Sequence, residues 1–214
     1  MALGENTGGT MYLNIKEGRI AYKDKVTKEK KTTGYVSGVI TGVKFEDKEW
    51  EGNKYEQCSV TIIDGDDHYT LQMKTDSGYF RSFCNALRSG DPTKKVRLTP
   101  TYQVDGAKKI SGMFVNIGND AKALPWYSTK ADPKDVPPLQ AVTFKGKTVW
   151  DGTDQINYWK NWLLSIKWAS EFEASAVQYE QPKQTASTPG DVAKNTSPST
   201  ESFTLGDDNE DLPF

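Results

Sequence analysis

The chain has 214 residues, with 27 Lys and Arg against 29 Asp and Glu and a formal net charge of −2. With a polar C-terminal stretch set aside, that length suits one compact domain of moderate size. No apolar run is long enough to span a bilayer as a helix, and the N-terminus lacks a basic-then-apolar secretion pattern, so a cytoplasmic protein without a membrane partner is expected. Cys58 and Cys84 sit in apolar-periodic segments and make no disulfide framework, so they read as buried free thiols of a reducing compartment.

Residues 1–10 are small, polar and glycine-containing, and are expected to be flexible. A folded domain is expected over residues 11–172. Tyr12, Leu13 and Ile15, then Ile20 and Tyr22, flank Lys16-Glu17-Gly18-Arg19, the pattern of a short hairpin or an added strand. Residues 23–31 are lysine-rich with Asp24 and Glu29 mixed in. They read as a solvated loop more readily than as a phosphate-contact loop. Residues 35–45 carry Val36, Val39, Ile40 and Val43, a strand whose Gly38 and Gly42 mark a bulge or tight bend. A polar turn holding Trp50 and Gly52 leads to residues 55–64, with Cys58, Val60 and Ile62 at period two. The Gly65-Asp66 turn leads to residues 68–74, where Tyr69, Leu71 and Met73 alternate with His68, Thr70, Gln72 and Lys74.

A helix follows. Asp76 or Ser77 caps it, Phe80, Phe83, Cys84 and Leu87 repeat at helical spacing, and Gly90 with Pro92 ends it. Val96, Leu98, Tyr102 and Val104 then alternate with polar residues. After Asp105-Gly106, residues 110–117 form a further strand. Residues 119–138 are irregular, with Trp126 and Tyr127 inside them. Residues 142–150 form a hairpin around Lys145-Gly146-Lys147. Ile156, Trp159, Leu163 and Ile166 share one face of a helix from 154 to about 172, with Trp162 and Leu164 off that stripe. So much apolar surface must pack on the domain or on a second copy of the chain.

Three strands, one helix and two strands is the chain order of an OB-fold, a five-stranded, partly open barrel. In that fold strands 2 and 3 and the loops after strands 1 and 4 bind oligonucleotides. The expected class is therefore mainly β: an OB-fold barrel with one inter-strand helix, an added C-terminal helix and a disordered acidic tail. A different five-stranded barrel or a β-sandwich would give a similar string.

The C-terminus is of another kind. Residues 173–206 form a linker. Within it, residues 181–206 are rich in Ser, Thr, Pro and Gln, with Val192, Phe203 and Leu205 as the sizeable apolar groups. Too little surface is available there for burial to offset chain entropy, so disorder is expected. The chain closes on Asp207-Asp208-Asn209-Glu210-Asp211-Leu212-Pro213-Phe214, four carboxylates before a short apolar end. Residues 201–214 hold five acids and no base, and setting them aside leaves 27 bases against 24 acids in residues 1–200. A mildly basic body with an acidic tail suits a nucleic-acid binder.

That ending resembles the acidic tail of bacterial and phage single-stranded-DNA-binding proteins. Leu212 stands where Ile is usual, and Asn209 and Glu210 interrupt the aspartates. The resemblance covers eight residues. It implies that Asp207, Asp208, Glu210, Asp211, Leu212, Pro213 and Phe214 dock on replication, recombination or repair proteins. The terminal Phe and its carboxylate would enter an apolar pocket rimmed by basic groups. A flexible tether raises the local concentration of such a peptide.

Candidate chemistry elsewhere favours binding over catalysis. Asp64-Gly65-Asp66-Asp67 resembles the metal-binding turn of RNA-dependent polymerases, but Asp-Gly is also a preferred hairpin turn and no second carboxylate motif accompanies it. His68 is the sole histidine, the cysteines lack metal-ligand spacing, and no phosphate-cradling Gly-rich loop occurs. No enzyme activity, cofactor or metal is expected. Aromatic rings beside cations are the better candidates, because bases stack on rings at about 1–3 kcal/mol each while Lys and Arg neutralise phosphates. The mixtures are Lys48 and Trp50 with Lys54 and Tyr55; Arg97 with Tyr102; and Lys108 and Lys109 near Phe114. His68, Gln72 and Lys74 point away from Leu71 and Met73 and line the same face. Tyr102 and Phe114 suit the core equally well, and Trp126 and Tyr127 suit either role. Non-sequence-specific binding of single-stranded DNA is the function these features imply. An adaptor with a protein-binding barrel and a docking tail is the alternative.

Overall fold

The computed structural model describes residues 9–118 except Lys25, residues 120–170 except Lys145, and Ala174. The expected linker (Ala174 aside), the tail over 207–214 and residues 1–8 lie outside the described residues.

The architecture is mainly β. Met11–Lys16 (β1), Arg19–Lys23 (β2), Lys30–Thr33 (β3), Val36–Trp50 (β4), Asn53–Asp64 (β5) and Asp67–Lys74 (β6) precede the helix Gly78–Leu87 (α1). Lys95–Asp105 (β7), Lys108–Ile117 (β8), Gln140–Phe144 (β9), Lys147–Asp151 (β10) and the helix Thr153–Ser165 (α2) follow. Eight strands make one curled, half-barrel sheet in the order β3-β2-β1-β6-β5-β4-β7-β8, and β9 pairs with β10 separately. Among the described residues no helix is long and apolar enough to cross a membrane.

Period-two burial builds the core. Cys58, Val60 and Ile62 on β5 and Tyr69, Leu71 and Met73 on β6 are buried, facing Leu13, Ile20, Ile40, Phe80, Phe83 and Leu98. β4 bulges between Ile40 and Gly42. Upstream, Gly38 lies at φ 151°, and a Cβ there would stand 2.6 Å from the Ile63 carbonyl oxygen.

β4 runs five residues beyond the strand expected over 35–45. Lys44, Glu46, Lys48 and Trp50 lie on one side of it, which allows a charged stretch to pair as a strand although its composition suggests a turn. The pair β4–β5 closes on Glu51-Gly52 with Trp50 opposite Asn53. β6 accompanies β5 only as far as Gln57, opposite Lys74, so the far end of the β4–β5 pair projects as a two-stranded arm.

The first segment is both a hairpin and an addition to the sheet. β1 pairs antiparallel with β2 and parallel with β6. The lysine-rich stretch expected to be a loop ends in β3, which pairs with β2. The β1–β2 turn reaches across to the other end of the curl. Gly18 N–H donates to the Tyr79 hydroxyl at 3.0 Å, and a Cβ on Gly18 would lie 2.7 Å from the Tyr102 nitrogen. Gly18 sits at φ +72°, so glycine answers both the turn and the close approach.

Ser77 caps α1: its hydroxyl accepts from Phe80 N–H at 3.3 Å and donates to the Lys74 carbonyl at 2.6 Å. Ser82, buried on α1, accepts from the Met113 N–H of β8 at 2.6 Å and so fixes helix to strand.

α2 ends at Ser165 rather than near 172. The Ser165 hydroxyl donates to the Trp162 carbonyl at 2.7 Å, and Ile166 turns extended. Such a bond competes with helix continuation. The extended chain lays Ile166 and Trp168 against the core. Trp159 and Leu163 of that stripe are buried in the chain's own core. Trp162 is half-buried against the same core rather than off it, while Leu164 is exposed as the stripe predicts.

Arg88, at the end of α1, ties the irregular segment to α2. It pairs with Asp135 at 3.1 Å, and its guanidinium lies 4.6, 5.1 and 5.4 Å from the ring centres of Tyr127, Tyr158 and Trp162. Tyr127 thereby joins the fold, its hydroxyl donating to Asp135 at 2.8 Å. Trp126 is half-buried against the core.

Candidate nucleic-acid interface

Side chains of a strand alternate between two faces. The face away from the core carries Tyr12 and Asn14 on β1, Thr70, Gln72 and Lys74 on β6, Tyr55, Gln57 and Ser59 on β5, and Lys44, Glu46, Lys48 and Trp50 on β4. Register sets Asn14, Gln72, Ser59 and Lys44 abreast across four strands.

A cleft of about 280 Å³ opens on this face, lined among others by Asn14, Tyr55, Gln72, Lys74 and Tyr79. The Lys74 ammonium lies 4.5 Å from the centre of the Tyr55 ring. A cation at that range is attracted to the ring by roughly 0.5–1 kcal/mol when exposed. A flat aromatic surface and a positive charge thus share one wall. Tyr79 anchors the floor: burial pushes its phenol upward in pKa, and the Gly18 N–H opposes that shift.

Up the arm, Lys44 and Lys48 pair with Glu46 at 2.6 and 3.1 Å. Their ammonium groups hold the Glu46 carboxyl below its ordinary pKa, Lys44 contributing first. Two lysines to one glutamate leave this side of the arm cationic. Trp50 stands at the tip and is 68% exposed. Of the residues expected in this group, Lys54 departs from it. It lies opposite Glu49, on the other side of the arm from Trp50 and Tyr55.

A second patch lies beyond. His68, half-buried, sits opposite Ile63 at the far end of β6. Ile63 and Val39 are buried in one cluster with Ala174, and Ala169 packs alongside, so these two alanines cover the face at that row. Past it, Arg97 lies 5.8 Å from the centre of the Tyr35 ring, and Phe114, 52% exposed, stands opposite Thr99. Phe114 is therefore a surface residue. Tyr102 is half-buried, on the same side of β7 as Leu98 and against the Gly18 turn, a structural place. Lys108 and Lys109 are exposed at the β7–β8 turn, apart from the cleft.

The Asp64–Asp67 segment is the hairpin turn of β5 and β6, closed by the Asp64–Asp67 pair. Asp64 is engaged by Lys95 at 2.5 Å and by the Ser37 hydroxyl at 3.1 Å. Cys58 and Cys84 are buried, and burial pushes both thiols far up in pKa, which keeps them unreactive.

No family model, curated protein or solved structure matches this chain. The interface stands on its own residues. Sequence reasoning missed Tyr12, Asn14, Tyr35 and Tyr79. Tyr12 and Asn14 carry a readable signal, since they alternate with the buried Met11 and Leu13.

Proposed function

We propose that this protein binds single-stranded DNA without sequence preference along the outward face of β1, β6, β5 and β4. The observation that carries the reading is the Tyr55 ring with the Lys74 ammonium 4.5 Å from its centre, in a cleft lined by Asn14 and Gln72. Unpaired bases stack on such rings while ammonium groups neutralise the phosphates. Trp50 offers a further ring on the same face, and Lys44 and Lys48 further charge. Duplex DNA hides its base faces and gains nothing from the rings.

The strand order β4-β5-β6, α1, β7-β8 supports an OB-fold reading of the half-barrel, with β1 occupying the place beside β6. By resemblance, residues 207–214 recruit replication, recombination or repair proteins, in the cytoplasm of a bacterial host. Fluorescence titration with oligo-dT and with a duplex of equal length tests the binding. Tighter binding of the single strand is expected, and equal affinity for both overturns the reading. Deleting residues 207–214 should leave or tighten strand affinity while abolishing partner binding.

A further inference from the structure

β1 is the strand that widens the outward face. Its next outward residue after Asn14 is Tyr12, 60% exposed and opposite Thr70 of β6. Successive outward residues stand about 7 Å apart along a strand. A second cleft of about 310 Å³ begins there, lined by Thr10, Met11, Tyr12, Lys23, Asp24 and Lys28. Lys23 lies two residues past Ala21, the partner of Asn14, and so on the same face.

The loop that presents these lysines is built. Asp24 accepts from the Val26 and Thr27 N–H groups at 2.9 Å each and from the Lys31 ammonium at 2.6 Å. Lys28 N–H donates to the Asp24 carbonyl at 3.1 Å, and Asp24 N–H to the Glu29 carbonyl at 2.9 Å. The Asp24 carboxylate is thus bonded into its own turn and matched by Lys31. Lys23 and Lys28 are exposed and line the same cleft as the Tyr12 ring, so flat surface and charge meet there as they do in the first cleft.

From this we infer that the N-terminal strands carry a second nucleotide subsite for single-stranded DNA, with Tyr12 as a stacking platform and Lys23 and Lys28 as phosphate contacts. The inference rests on the proposed function of the first cleft and lengthens its path across β1 to the β2–β3 turn. It assigns the lysine-rich loop a phosphate-binding role rather than a solvating one.

The test uses the full chain and fluorescein-labelled oligo-dT of graded length. Tyr12→Ala should weaken binding of long oligomers roughly 5- to 140-fold, the equivalent of one stacked base, and Tyr12→Phe should bind as the native chain does. Lys23→Ala with Lys28→Ala should lower the slope of log affinity against log salt by about 1.4. Oligomers too short to leave the first cleft should respond to Tyr55→Ala and to none of these variants. Native affinity of Tyr12→Ala for long oligomers, or an unchanged slope in the lysine variant, overturns the inference while Tyr55→Ala still weakens binding. Native binding by Tyr55→Ala overturns the parent reading instead, and this one with it.

Discussion

Replacing Tyr55 by Ala removes one ring from the first cleft, and replacing Lys74 by Ala removes the charge 4.5 Å from its centre. The two losses have different signatures. A lost stacking ring weakens binding by about 1–3 kcal/mol, roughly 5- to 140-fold, at any ionic strength. A lost phosphate contact lowers the salt slope by about 0.7 on a single strand. Between 50 and 200 mM salt, the advantage of the native chain over Lys74→Ala therefore shrinks about 2.6-fold. Its advantage over Tyr55→Ala stays constant. Fluorescence titration with oligo-dT at four salt concentrations separates the two. The two losses should not simply add in the double variant, because ring and ammonium are in contact. A Tyr55→Ala variant that binds as the native chain, or a Lys74→Ala variant with an unchanged slope, refutes the reasoning.

Gly18→Ala places a Cβ 2.7 Å from the Tyr102 nitrogen at φ +72° and should lower stability by roughly 1–3 kcal/mol, read as a fall in Tm. Leu163→Ala, at a fully buried position on α2, should cost about 2–5 kcal/mol, by the same amount at every protein concentration; a concentration-dependent loss would place that helix between copies. Asp135 is held below the ordinary carboxylate pKa, first by the Tyr127 hydroxyl, then by Tyr158, with Arg88 adding to it. A depressed folded pKa stabilises above the unfolded value near 4 and loses that contribution as pH falls through the folded value. The Tm of Asp135→Asn should therefore lie below that of the native chain at pH 7 and converge with it once the pH drops well below 4; a gap that persists in acid refutes the assignment. Cys58 and Cys84 should resist a thiol reagent at pH 8 in the folded chain and react fully after denaturation.

The half-barrel's central strands were readable because their alternation is clean. Cys58, Val60 and Ile62 against Gln57, Ser59 and Thr61 fix both strand and face, and the same parity placed Gln72 and Lys74 with Tyr55. Asp76 or Ser77 marked the start of α1, and it is the Ser77 hydroxyl that accepts from Phe80 N–H. Three things were not readable. The arm was hidden because cross-strand register, not composition, makes Lys44, Glu46 and Lys48 a strand. Once the arm is a strand, alternation sends Lys54, next to Tyr55, to the opposite side. The parallel partnership of β1 with β6 joins Leu13 to Leu71 across 58 positions, and no local pattern encodes it. Without that pairing, Tyr12 and Asn14 had no neighbours to make them a site. α2 was overlong because helical periodicity continues into Ile166, whereas the Ser165 hydroxyl bonds the Trp162 carbonyl and the extended chain lays Ile166 against the core.

The parallel bond between β1 and β6 also orders events during synthesis. β1 leaves the ribosome before β6, yet its seat exists only after β6 has emerged, and its turn rests on β7, later still. β1 and β2 must wait, their apolar residues exposed, until β6 and then β7 have been made. They then close the curl from outside by a contact of long loop entropy. The same ends should open first in the finished protein, so amide exchange should run fastest along β1 to β3 within the main sheet.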